Sequence, residues 1–202
     1  MSTIETLPLD LAYKGSRSYL HGTDMYNAIM DHFGRALPQH LRGPLKMVMH
    51  EFARNQVDMD YSTGAGRCPK PDNARLEFSL SDNLSGWLAE TDRPVGTRVP
   101  YPEGEIVAGS RIEGQAIIAA TDSRFSPIEV LVSLTKHLHT NLRPGPAGWA
   151  FTRLDLLSPL VDAHKDVFEV ELLQALGNRL TKSAVRAGPA LLGHIFFSAV
   201  AA

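Results

Sequence analysis

The stretch from Ser126 to Leu142 constrains the fold most. Ser126-Pro127-Ile128-Glu129 is a capping box with proline at the first helical position. The serine side chain can accept from the Glu129 amide while the Glu129 carboxylate returns to the serine amide. Ile128, Leu131, Val132, Leu134, Leu138 and Leu142 then recur at helical spacing, and Val130 widens the stripe. Pro144-Gly145-Pro146 stops it. A helix this apolar along its length is expected to be wrapped by a sheet rather than laid on a surface.

A second helix is predicted from Thr23, a good N-cap residue, with Asp24 in the positive first turn. Met25, Ala28, Ile29, Phe33 and Leu37 recur at helical spacing, and Gly34 and Pro38 blur its end. Extended stretches precede both helices, Leu9 to Leu20 and Gln115 to Ala120. Strand patterns follow them. Val57, Met59 and Tyr61 alternate with Asp58 and Asp60, and Arg75 to Leu80 turns at Ser81-Asp82-Asn83 into Leu84 to Thr91. In the second half Trp149 to Leu157 alternates. Val167 to Leu176 then turns at Gly177-Asn178 into Arg179 to Ala187, and Gly188-Pro189 leads to Leu191 to Val200. Such a meander fixes register, because a one-residue slip would expose the core face.

The halves thus share an order of strand, helix and antiparallel strands, with helix starts about 103 residues apart. Gly15-Ser16-Arg17 before Thr23-Asp24 echoes Gly109-Ser110-Arg111 before Thr121-Asp122. The expected organisation is a first half at 1–94, a Pro/Gly-rich linker at 95–104 and a second half at 105–202. The alternative is one unrepeated α+β domain.

Composition sets the outer limits. A chain of 202 residues with 44% hydrophobic and 21% charged residues buries a substantial core without staples. A net charge of -2 supplies no attraction for phosphate backbones, so nucleic acid is not an expected partner. No apolar run approaches the roughly 20 residues of a membrane span. No basic-then-apolar leader opens the sequence, so a cytoplasmic location is expected. The single cysteine, Cys68, reads as a loop thiol, with a nucleophile helped by Arg67 as the sharper alternative.

An antiparallel sheet around one long apolar helix, present twice over roughly residues 9 to 200, resembles the double hotdog fold. The resemblance lives in element order. It implies an α+β tandem double hotdog acting on acyl thioesters of coenzyme A or acyl carrier protein, as a 3-hydroxyacyl dehydratase or a thioesterase; the alternative reading is a catalytically silent protein that binds an acyl chain, another small hydrophobic ligand or a partner protein. No cofactor is implied, and a homodimer is plausible by analogy only. The dehydratase branch uses a histidine just before one central helix and a carboxylate in the opening turns of the other. His21, before Gly22, and Glu129 match those positions. A base near neutrality and a protonated acid suit the reaction. The histidine-phenylalanine-proline pattern of that branch is absent, and Glu129 already has a capping task. The thioesterase branch implies a helix-start carboxylate, here Asp24 or Asp122, with Asn27 or Arg124 as polar partner. Arg17, Gly22 and Arg124 are the candidate substrate contacts, and Arg17 and Arg111 occupy half-equivalent positions.

No metal site is expected. His137 and His139 lie two apart, on opposite sides of a helix, and His32, His40, His50, His164 and His194 are scattered. Gly64-Ala65-Gly66 lacks the lysine and hydroxyl of a phosphate loop, and Arg67 and Lys70 read as a solvated loop. Ser85, Ser183 and Ser198 lack a nucleophile-elbow setting.

Overall fold

The computed structural model describes residues 3–64, 66–144, 148–160, 167–177 and 179–200. Ala65, Gly145, Pro146, His164 and Asn178 lie outside the described residues. The chain divides into two compact units, 1–101 with 157–159, and 102–156 with 160–202.

The first unit runs β1 (Ile4–Pro8), β2 (Tyr13–Lys14), α1 (Gly22–Ala36), a 3₁₀ turn (Pro38–Arg42), β3 (Leu45–Met49), β4 (Asn55–Thr63), β5 (Ala74–Leu80), β6 (Leu84–Pro94) and β7 (Arg98–Val99). Its antiparallel sheet has the order β1-β4-β6-β5-β3, and β2 and β7 form a short parallel pair. β7 falls within the stretch expected as a linker. Tyr61, Gly86, Phe78 and Met47 line up across four strands. Phe33 of α1, fully buried, packs edge-on against Tyr61 and beside Phe78. Gly86 makes that row possible. A Cβ there would lie 2.4 Å from the Phe78 ring and 2.5 Å from the Asp60 carbonyl oxygen.

The connection from β4 to β5 is not a hairpin. Both strands pair antiparallel with β6, so they run the same way with β6 between them. Residues after Gly64 pass across β6, where Cys68 and Ala74 bury Trp87. The Trp87 indole donates to the Cys68 carbonyl at 3.0 Å, and the Cys68 amide donates to Ser85 Oγ at 2.9 Å. Burial first, then the nearby Asp60 charge, pushes the Cys68 thiol up, which suits a packing role.

The second unit runs α2 (Glu103–Val107), β8 (Arg111–Glu113), β9 (Ala116–Ala120), α3 (Pro127–Leu142), β10 (Gly148–Leu156), β11 (Val167–Leu176), β12 (Leu180–Ala187) and β13 (Ala190–Val200). Its strands follow the order β8-β9-β11-β12-β13-β10, so β11, β12 and β13 form a simple meander. α3 begins with the capping box, the Glu129 carboxylate accepting from the Ser126 amide and hydroxyl, each at 2.8 Å. His139, fully buried on α3, shares hydrogen bonds with Ser183 at 3.2 Å and Thr181 at 3.3 Å and packs on Trp149 and Phe197.

The helices repeat one burial pattern. α1 buries Gly22, Thr23, Met25, Tyr26, Ile29 and Phe33. Adding 105 to each number gives Pro127, Ile128, Val130, Leu131, Leu134 and Leu138, all buried in α3. The same offset carries the N-cap of α1 onto Ser126. That cap is His21, not Thr23 as expected, since His21 has extended backbone angles and helical geometry begins at Gly22. Thr23 is thereby drawn into the first turn.

Gly86→Ala is expected to cost about 1–3 kcal/mol, because the Asp60 backbone cannot retreat from the added Cβ. Urea denaturation checks it. A second expectation concerns pH. Burial, helped by the Arg143 charge, lowers the His139 pKa to about 4. The unfolded chain therefore binds the extra proton first as pH falls. The stability is fully present above about pH 6.5 and is lost toward pH 4, on the order of 3 kcal/mol in all. Urea midpoints across that window should fall in the wild type and lose this component in His139→Gln.

Candidate functional site

Two helix starts hold the residues singled out from sequence, and they use them differently. In the second unit, Glu129 sits at the third position of α3, engaged by Ser126. Asp122 lies half-buried in the preceding loop, where Arg124 donates to it from Nε at 2.9 Å and Nη2 at 2.7 Å and from its amide at 2.9 Å. These Arg124 bonds hold the Asp122 carboxyl below the usual carboxylate range. Arg124 also reaches Glu105 at 3.4 Å. Arg111 pairs with Glu113 on the surface at 2.6 Å.

In the first unit His21, Gly22, Asp24 and Arg17 come together. His21 occupies an N-cap position, which favours Ser, Thr, Asp or Asn, and it makes no capping hydrogen bond. It is 8% exposed. A hydrogen bond of 2.7 Å joins its Nδ1 to Thr23 Oγ1, and its ring lies 5.1 Å from that of Tyr101. Thr23 is fully buried and also accepts from Lys14 Nζ at 3.3 Å. Lys14, itself buried, forms a 2.6 Å ion pair with Asp24. Asp24 and Glu129 are therefore the same helical position put to two uses, since each stands three residues after its N-cap.

The surroundings fix this cluster. The Arg98 guanidinium donates to the carbonyls of Gly15 at 2.6 Å and Arg17 at 2.8 Å. Gly15 has φ 57°, a conformation that glycine adopts at little cost and that lets the chain turn after Lys14. The Leu20 amide donates to the Ala53 carbonyl at 2.8 Å and ties the approach to α1 onto the sheet unit. Lys14 and Arg17 both lie over the Tyr101 ring, at 5.2 Å and 5.0 Å. Asp24 also faces a cleft of about 470 Å³, lined with it by Asn27 and Asp31 of α1 and by Asp10, Leu11 and Val99.

Lys14, Tyr101 and the polar task of Thr23 escaped the sequence reading. A lysine in an extended stretch reads as solvated, and Tyr101 stands between two prolines about 80 residues from its partners. Only the Pro100-Tyr101-Pro102 run, an aromatic pinned in a turn-rich segment, hinted at a docked side chain. Among the described residues no three His, Cys, Asp or Glu side chains gather as a metal site, and no helix is long and apolar enough to cross a membrane.

No protein-family model matches the chain, and no curated protein sequence matches it. Its likeness is to solved structures. A pyran synthase domain from module nine of the sorangicin pathway is 10% identical, with a TM-score of 0.53 over 98% of this chain and 93% of that one. The tesB protein of Mycobacterium avium subspecies paratuberculosis is 10% identical, with a TM-score of 0.51 over 94% and 89%. A bifunctional dehydratase-cyclase domain of ambruticin biosynthesis is 11% identical, with a TM-score of 0.50 over 98% and 91%. At such identities the likeness is one of fold, and the fold is the hotdog.

Lys14→Met removes the cation 2.6 Å from Asp24 in a largely buried setting. It is expected to destabilise the protein by about 3 kcal/mol, read from the urea midpoint. An unchanged midpoint would show the pair to be solvated in solution.

Proposed function

We propose that this protein acts on acyl thioesters of coenzyme A or acyl carrier protein, through the polar cluster at the amino end of α1, and that its two units are a tandem hotdog pair. The observation that carries the reading is the buried histidine at an N-cap, where it does no capping, held by Thr23 beside the Lys14–Asp24 ion pair. Capping energy is forgone there, as expected where chemistry outranks stability. The repeated burial pattern of α1 and α3 supports the tandem arrangement. One structure of similar fold is a dehydratase-cyclase domain.

The leading chemistry is dehydratase-like. A 3-hydroxyacyl thioester loses its α-proton to a base, and the β-hydroxyl leaves as water with a proton from an acid. Negative charge builds on the thioester oxygen meanwhile. The positive end of a helix suits that oxygen. His21 supplies the imidazole. A carboxyl group at the third helical position supplies the partner, either Glu129, as the resemblance implies, or Asp24. The Glu129 carboxylate is committed to Ser126, whereas Asp24 shares one cluster with His21 through Lys14 and Thr23. That favours Asp24.

A second reading is thioester hydrolysis with Asp24 as base or nucleophile. It is favoured by the cleft that Asp24 and Asn27 line together.

The test is turnover of 3-hydroxyacyl, enoyl and saturated thioesters on both carriers, following enoyl absorbance and free thiol separately. His21→Ala and Asp24→Asn should each lower turnover at least about 100-fold. Glu129→Gln should leave it unchanged, and a large loss there would reassign the partner. A well-folded sample that neither turns over any of these thioesters nor gains thermal stability from them would overturn the reading.

A further inference from the structure

We propose that the face of the first unit's sheet turned away from α1 carries a binding site for a phosphate monoester with a hydroxyl group on the neighbouring carbon. The sheet supplies the floor. Tyr61, Gly86, Phe78 and Met47 form the row that faces α1. Side chains alternate along a strand, so the next row, Ser62, Ser85, Ser79 and Lys46, points the other way. Three hydroxyls and an exposed lysine thus stand side by side across β4, β6, β5 and β3.

The segment after Gly64 builds the wall. Ser62 donates its hydroxyl to the Gly66 carbonyl at 3.4 Å, and the Cys68 amide donates to Ser85 Oγ at 2.9 Å. The Trp87 indole holds the Cys68 carbonyl at 3.0 Å. Arg67 is therefore tethered to the sheet through the residue on either side. Its side chain, which reads from sequence as solvated, lines a pocket of about 220 Å³ together with Ser79, Ser85 and Asp82. Among the described residues neither Arg67 nor Asp82 has an ion-pair or hydrogen-bond partner for its side chain, and they do not pair with each other. The Ser79 hydroxyl has no described partner either. Ser85 Oγ only accepts, which leaves its hydrogen to give.

Those groups form two sets. The Arg67 guanidinium, with the Ser79 and Ser85 hydroxyls, offers donors to an oxyanion, and a guanidinium fork matches phosphate geometry. Lys46 adds positive charge to the same row. The Asp82 carboxylate can only accept. It repels a bare phosphate dianion but takes a hydrogen bond from an alcohol. A ligand that answers both sets carries a phosphoryl group at one end and a hydroxyl beside it. Glycerol phosphates have that pattern, and so does a ribose 3′-phosphate with its 2′-hydroxyl. The site lies across the sheet from α1, so it stands apart from the acyl-thioester reading and does not rest on it.

The test is a titration of ¹⁵N-labelled protein at low ionic strength, followed by amide shifts. Glycerol 3-phosphate should give saturable shifts centred on Gly66, Arg67, Ser79 and Ser85, and glycerol should give none. Inorganic phosphate, with no hydroxyl for Asp82, should bind at least about threefold more weakly. Arg67→Gln should weaken glycerol 3-phosphate at least about tenfold, and Ser79→Ala about fivefold, with distant signals unmoved. Asp82→Ala should erase the preference over inorganic phosphate. Adenosine 3′,5′-bisphosphate separates the sources of the shared chemistry. Binding tighter than that of glycerol 3-phosphate assigns the phosphate to a nucleotide and weaker binding assigns it to a small polyol, and the site stands in both cases. No saturation by millimolar glycerol 3-phosphate overturns the proposal. So do shifts centred elsewhere, undiminished binding in Arg67→Gln, or equal binding of glycerol 3-phosphate and inorganic phosphate by the wild type.

Discussion

Burying one face of a long helix against an antiparallel sheet is the constraint on which each unit depends. The six buried positions of α1 and their counterparts in α3 show what that face requires. Phe33 meets Tyr61 and Phe78 because Gly86 removes a side chain from the row between them. α3 goes further and buries Val132, Ser133, Thr135 and His139 as well, so it must satisfy polar groups inside its unit. The Ser183 and Thr181 hydroxyls answer both ring nitrogens of His139. Burial, helped by the Arg143 charge, keeps the ring neutral at ordinary pH.

The helix starts show how one local frame serves two purposes. At α3 the cap residue and the carboxylate three positions on bind each other. At α1 the same two positions hold His21 and Asp24, which do not close a box. They turn instead to Thr23 and Lys14, respectively. The difference is a lysine brought in from β2, held by a turn that Arg98 fastens. Structure-making interactions are complete at one helix and are displaced by a polar cluster at the other.

Local signals in the sequence were therefore reliable and long-range ones were not. The capping box at Ser126 and Glu129 was legible because both partners lie within one turn. The hairpin at Ser81-Asp82-Asn83 was legible for the same reason. Thr23 was read as a cap because its residue type suits one, yet its hydroxyl is claimed by Lys14, nine residues earlier. Propensity is a weak prior that such tertiary contacts override. The place of His21 before a helix was visible, but Lys14 and Tyr101, which hold its surroundings, carry no local mark. The stretch expected as a Pro/Gly-rich linker contains β7, because a two-residue strand needs only a partner edge, and β2 provides it.

The connection that carries Cys68 over Trp87 has a bearing on how the chain comes to be folded. In the second unit β11, β12 and β13 lie side by side in the order in which they are synthesised. Each can add to the one before. In the first unit β6 is synthesised after β4 and β5 yet lies between them. β4 must wait with one edge open until the β5–β6 hairpin has formed and docks through β6. Only then can the Cys68 segment settle across Trp87. Non-local pairing of this kind slows assembly. Each unit thus holds back an early strand for a later one, β4 waiting for β6 in the first and β10 for β13 in the second.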